Sequence, residues 1–222
     1  DIFVVVLKIP NLFRRFFAEG AFNQAFIPIY TDYQKSNNLD QTRDFLNAIA
    51  GTLLIFLFVF TILVLIFAPV FILIFAPGFY FDPIKQNISI DVLRIMFPYL
   101  ALISLVAFAG GIQNTHQKFS VPAFTPVIFN LCLIVSAIFI APMYDMPIYV
   151  LAWGVLLAGI LQLLIQISPL LSINRLPVPK LDIKNQGLRK FFKLILPAIL
   201  AGGIIQINLL IDTIFASLLE TG

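Results

Sequence analysis

Charge is scarce in this chain: of 222 residues only 11% are Asp, Glu, Lys or Arg, while 60% are hydrophobic. A soluble domain carries about 25% charged and about 45–50% apolar residues, so a water-soluble globular protein is excluded. Cysteine is nearly absent. Cys132 is the only one and lies in an apolar run, which rules out a disulfide framework and a thiolate metal set and leaves the compartment unspecified. Histidine is a single residue, His116, without a second imidazole to share a metal. No paired-carboxylate motif, nucleophile elbow or glycine-rich phosphate loop occurs, so an enzyme finds no support and no cofactor or metal is implied. The uncharged run over 48–76 shows no alternation of apolar and polar residues, which excludes a membrane β-barrel.

What the chain has in excess is long apolar segments. A membrane-spanning helix takes about 20 predominantly apolar residues, and the supply here suffices for five or six. The sequence reads as an all-α polytopic membrane protein with six transmembrane helices. The first covers 1–33, kinked at Pro10 and Pro28, and the second covers 48–76, tilted, with an interfacial end after Pro69. The others are 91–113 with Pro98 inside, 123–141, 149–168 with Trp153 near an interface, and 194–219 interrupted by Pro197 and Gly202. The start at Asp1, without methionine or a basic leader, and the stop at Gly222 beside an apolar helix predict an interior piece of a longer protein.

The net charge of +3 is a topology marker here and does not point to nucleic acid. The loops after helices one, three and five hold nine cations: Lys35, Arg43, Lys118, Arg175, Lys180, Lys184, Arg189, Lys190 and Lys193. The two opposite loops hold Lys85 alone. Cytoplasmic loops are enriched in Lys and Arg, so both ends of the chain are expected to face outward.

Four further cations, Lys8, Arg14, Arg15 and Arg94, fall inside the proposed helices. A Lys or Arg at the centre of a membrane helix costs about 2.5–3.5 kcal/mol on insertion scales, so these groups must face protein or water. At helical spacing Asn11, Arg14 and Arg15 share one arc of about 100°, and Glu19 is the i,i+4 partner of Arg15. Two readings stand. Either Arg15–Glu19 is a structural ion pair with Lys8 at the interface and Arg14 on a carbonyl, or this stripe, of net charge +2 with Lys8 counted, lines a cavity for an anion. Arg94 reads as an interfacial anchor, and Asp212, well inside the last helix, as an ion or proton site or a structural partner. Gln162, Gln166, Gln206 and Asn208 read as interhelical hydrogen bonders.

The stretch Lys8-Ile9-Pro10-Asn11-Leu12-Phe13-Arg14-Arg15-Phe16-Phe17-Ala18-Glu19-Gly20-Ala21-Phe22 resembles the MurJ (MviN) lipid II flippases of the multidrug/oligosaccharidyl-lipid/polysaccharide exporter superfamily. Ala76-Pro77-Gly78-Phe79, Phe97-Pro98-Tyr99, Asn114 with Phe119, Pro122-Ala123-Phe124, Pro126 with Asn130, Pro197-Ala198-Ile199-Leu200 and Thr213-Ile214-Phe215-Ala216-Ser217 follow in family order. The resemblance implies a two-lobe exporter fold of fourteen helices, of which this chain supplies helices two to seven. Residues 1–169 would be five helices of the N-terminal lobe, 170–193 a basic cytoplasmic linker, and 194–222 the first helix of the C-terminal lobe. It implies that Asp1, Lys8, Asn11, Arg14, Arg15 and Glu19 line the central cavity, with Arg14 matching an arginine essential for transport. Asp212 departs from the asparagine of family relatives.

The implied activity is translocation of lipid II, the undecaprenyl-pyrophosphate-linked disaccharide-peptide, across the bacterial inner membrane by alternating access. Its implied partners are that lipid, the bilayer and cell-wall synthesis proteins. The rival readings are an exporter of another polyprenyl-linked oligosaccharide or a multidrug antiporter, and, in another class, a scaffold for cell-wall enzymes.

Overall fold

The computed structural model describes residues 2–17, 20–36 and 38–218; for 16–17, 201–210, 212–214 and 216–218 it describes only the course of the helix. All regular structure among the described residues is helical. Where one kinked helix was expected over 1–33 there are two, α1 (Ile2–Phe17) and α2 (Ala21–Lys35). The chain turns at Gly20, whose φ of 37° lies in the left-handed region that a residue without Cβ enters freely. Pro10 and Pro28 sit inside continuous helices instead. A proline forfeits one hydrogen bond, but inside a packed bundle that loss alone does not end a helix.

Helix α3 (Leu39–Ile66) starts well before the apolar run because Asn38 caps it, its side-chain oxygen accepting from the Gln41 amide at 3.1 Å. Its first turns are amphipathic, with Phe45 and Leu46 buried and Arg43 and Asp44 exposed. The chain bends at Phe67 into α4 (Ala68–Phe75), with Pro69 in its first turn, and continues through the short α5 (Pro77–Tyr80). Asp82 caps α6 (Pro83–Met96) through the Ile84 and Lys85 amides, and Pro98 marks the junction with α7 (Tyr99–Thr115). Then come α8 (Ser120–Val135), prolonged by a wider turn over Ser136–Ile140, and α9 (Pro147–Ser172).

The last helix, α10 (Gln186–Leu218), begins before the expected span and takes in part of the expected basic linker. Asn185 caps it by accepting from the Gly187 and Leu188 amides. Leu188 and Phe191 are buried while Arg189, Lys190 and Lys193 are exposed, so this turn-and-a-half is helical by amphipathicity although too charged to count as membrane span.

Four stretches among the described residues are long and apolar enough to cross a membrane: Leu39–Ile66, Pro83–Thr115, Ser120–Met143 and Pro147–Ser172. Large apolar side chains cover their outer faces; Phe58 and Phe139 are each 66% exposed. A water-soluble surface does not carry apolar patches of that extent.

The interior holds two apolar clusters. One joins α1, α4, α6 and α7 around Phe13, whose ring packs edge-on against Phe60, Phe71, Phe75 and Phe97 at centroid distances of 5.2–6.2 Å. The other joins α2, α3, α7 and α10, where Phe22, Phe26 and Tyr30 stack at one-turn intervals along α2. Contacts from α2 to His116, and from α3 to the segment after α9, gather the nine loop cations at one end of the bundle.

Candidate functional site

Helix α1 is fixed in rotation by Phe13 in its aromatic socket, and the next residue, Arg14, is thereby turned about 100° away. There it lines a cavity of about 410 Å³ together with Asn11 of α1, Asn23 of α2, Asn114 of α7, Thr125 and Asn130 of α8, and Gln162 and Gln166 of α9. Among the described residues Arg14 is the one charged group of the lining. Pro126 also faces the cavity; its ring nitrogen cannot donate to the Pro122 carbonyl one turn earlier, which frees a backbone acceptor in this helix.

One wall is held by a relay of buried side chains across three helices. Gln113 of α7 donates through Nε2 to Gln166 Oε1 on α9. Gln166 Nε2 donates to Thr125 Oγ1 at 3.1 Å, and that hydroxyl donates to the Val121 carbonyl, also at 3.1 Å. Gln162 Nε2 donates to the Thr125 carbonyl at 2.9 Å. The interhelical bonding expected of Gln162 and Gln166 is therefore present, and the same residues face the cavity. Asn23 Oδ1 and Gln162 Oε1 are buried with no hydrogen-bond partner among the described residues, two acceptors placed for the hydroxyl or amide donors of a bound group. One guanidinium among neutral amides and a hydroxyl has the chemistry to take an anion with polar substituents.

The other charges fall elsewhere. Lys8 and Arg15 are exposed on α1 and do not line this cavity. Asp1 and Glu19 lie outside the described residues, as do the side chains of Asp212, Gln206 and Asn208. Arg94 is exposed and its Nε donates to the Leu65 carbonyl at 3.2 Å, so it caps the C-terminal turn of α3. Asn23, Asn114, Thr125 and Asn130 had no place in the sequence-based site. A lone amide or hydroxyl in an apolar run carries no charge penalty that singles it out.

His116 closes the cation-rich end of α7. The backbone reverses at Gln117, φ 59°, with the Lys118 amide bonded to the Gln113 carbonyl at 2.9 Å, a Schellman stop. His116 Nε2 lies within hydrogen-bond distance of Tyr30 Oη, at 2.9 Å, and of Gln34 Nε2, at 2.8 Å. Burial, and then the nearby Arg175 charge, hold its pKa below the ordinary 6.5. The folded state thus favours neutral His116, so stability is fully present above pH 6.5 and falls as the pH drops from there toward the lowered folded-state value. Thermal unfolding of the purified protein should show that acid-side loss, and His116→Gln should flatten it. An unchanged slope in the variant would assign the loss to other groups.

The pattern of the lipid II flippase MurJ family matches residues 1–222. A "Probable lipid II flippase MurJ" of Buchnera aphidicola subsp. Acyrthosiphon pisum (strain APS) is 43% identical over 222 residues, covering 100% of this chain and 43% of that protein. One from Haemophilus influenzae is 39% identical, covering 100% of this chain and 45% of its own length. The "Lipid II flippase MurJ" of Burkholderia cenocepacia is 36% identical, with 100% and 44% covered. The chain spans less than half the length of these relatives. With its whole length matched, and with four apolar stretches of membrane length in a bundle that encloses an arginine-bearing cavity, this chain belongs to the MurJ lipid II flippase family.

Proposed function

We propose that the protein containing this chain translocates lipid II, the polyprenyl-pyrophosphate-linked peptidoglycan precursor, across the inner membrane by alternating access, without covalent chemistry. The observation that carries the reading is Arg14 beside Asn11 in a cavity of about 410 Å³ that is also lined by asparagine and glutamine amides of other helices, within an apolar bundle. A guanidinium fork matches a pyrophosphate in charge and geometry, and the neutral amides suit the hydroxyls and amides of a disaccharide-peptide. In this reading Lys8, Arg15, Asp1 and Glu19 add charge to the substrate path of the complete protein, and Asp212 belongs to the first helix of a second lobe. In this arrangement residues 1–169 form most of the N-terminal lobe, 170–193 the basic connection, and 194–222 the start of the next. Together α1–α2 and α10 supply the two crossings beyond the four apolar stretches. Reconstituting the parent protein in vesicles with head-group-labelled lipid II tests this. Labelled lipid should reach the opposite leaflet faster than in protein-free vesicles, and an unchanged rate would refute the reading.

Topology makes a separate prediction from the nine cations at one end against Lys85 at the other. Asn38, Asn87 and Gln186 are exposed, so cysteines there leave the core intact, with the loss of one capping hydrogen bond on α3 at position 38. In a Cys132→Ala background, Asn38→Cys and Gln186→Cys should resist an impermeant thiol reagent in intact cells, and Asn87→Cys should react. Labelling of Asn38→Cys from outside would invert the orientation.

A further inference from the structure

The segment after α9 is strapped across α3, and the strap encloses a second charged cavity. Helix α9 ends in a Schellman stop, with Asn174 at φ 54° and the Arg175 amide bonded to the Leu170 carbonyl at 2.9 Å. The chain then crosses α3 at Asn47. Val178 donates its amide to Asn47 Oδ1 at 2.7 Å, and Lys180 donates its amide to the Asn47 carbonyl at 3.0 Å. Gly51, one turn on, makes the approach possible, because a Cβ there would fall within 3.0 Å of the Lys180 backbone.

Between strap and helices lies a cavity of about 210 Å³ lined by Arg43, Asn47, Leu171, Asn174, Arg175 and Pro177, among others. A water molecule's share of liquid volume is about 30 Å³, so a tetrahedral oxyanion fits with room for solvent. Two guanidiniums face this one space. Neither makes an ion pair among the described residues; the Arg175 side chain also reaches the Tyr30 hydroxyl, while its Nε is buried without a hydrogen-bond partner. Asp40 and Asp44 flank Arg43 in sequence but do not line the cavity. Two like charges around a shared hollow repel, and a partly buried guanidinium without a counter-charge is costly; a bound anion relieves both. With its side-chain oxygen taken by Val178, Asn47 keeps its NH2 as a further donor, and Asn174 offers another. The Arg14 cavity has a different lining, formed on α1, α2, α7, α8 and α9.

We propose that Arg43 and Arg175 form a second anion site, specific for a phosphate group, at the cation-rich end of the bundle. The phosphate is either the head group of an anionic phospholipid in the adjoining leaflet or free phosphate; both present charged non-bridging phosphate oxygens to the guanidinium forks.

The test uses the purified parent protein, wild type and Arg43→Gln. Arg43 is exposed, so this variant keeps the fold, and equal unfolding temperatures without added ligand verify that. Native mass spectrometry after exposure to phosphatidylglycerol and to phosphatidylcholine, and thermal unfolding with and without inorganic phosphate, are then compared. Selective retention of phosphatidylglycerol by wild type, weakened about tenfold in Arg43→Gln, supports the site and identifies a lipid head group. A phosphate-dependent rise in unfolding temperature seen in wild type and lost in Arg43→Gln supports it and identifies free phosphate. If neither probe distinguishes the two proteins, the proposal is overturned. Transport by the Arg14 cavity does not enter either readout.

Discussion

Arg14→Ala should abolish the ability of the parent protein to support growth while leaving its amount in the membrane unchanged. The side chain lines the cavity as its one charged group among the described residues, so its removal deletes the charge that the proposed function assigns to the pyrophosphate. Charge-assisted hydrogen bonds are worth about 1.5–3 kcal/mol each, and losing a bidentate contact of about 3 kcal/mol weakens binding more than a hundredfold. Arg14→Lys should recover only part, because an ammonium retains the charge but not the planar fork. Arg94→Ala, which removes a cap on the Leu65 carbonyl, should leave transport close to wild type. Growth support, translocation in vesicles and membrane abundance together check these outcomes. Full translocation by Arg14→Ala, or its disappearance from the membrane, would make the arginine structural.

Phe26→Ala should destabilise the bundle by about 3 kcal/mol or more, the upper range for core truncations. Phe26 is fully buried on α2. It stacks on Phe22, Tyr30 and Phe45 at centroid distances of 5.3–6.0 Å and meets Phe108 edge-on at 5.2 Å. In lipid the loss is mainly one of packing, since a void inside the bundle has no atoms to replace the ring's contacts. Phe58→Ala supplies the contrast. Phe58 is 66% exposed on α3, so lipid tails refill the space and the change should stay within about 0.5 kcal/mol. Unfolding temperatures of both variants in the same detergent check this, and equal losses would mean that the cluster on α2 is not a packed core.

Much of this was legible because membrane helices are written in composition. The uncharged run over 48–76 and the apolar segments around Phe108, Phe129 and Leu161 needed no structure to be read as helices. Arg14 with Asn11 was legible too, since a charge in an apolar helix carries a cost that demands an environment. Boundaries were not. Asn38 and Asn185 extend α3 and α10 beyond the apolar runs by capping amphipathic turns, which a hydropathy count discards as loop. The break at Gly20 was masked by two prolines that looked like stronger interrupters. The neutral half of the cavity was the least visible. Asn23, Asn114, Thr125 and Asn130 come from three helices, and only packing brings them to the same space as Arg14. Likewise the stretch after α9 reads in sequence only as a basic linker, yet Asn47 and Gly51 of α3 hold it against that helix.

The most direct test of the central claim, that the Arg14 cavity holds the pyrophosphate of the lipid substrate, is equilibrium binding of lipid II to the purified parent protein and to its Arg14→Ala variant. Affinity should fall at least about a hundredfold in the variant at unchanged unfolding temperature. Equal affinity for the two proteins would contradict that claim and move the substrate site to other helices.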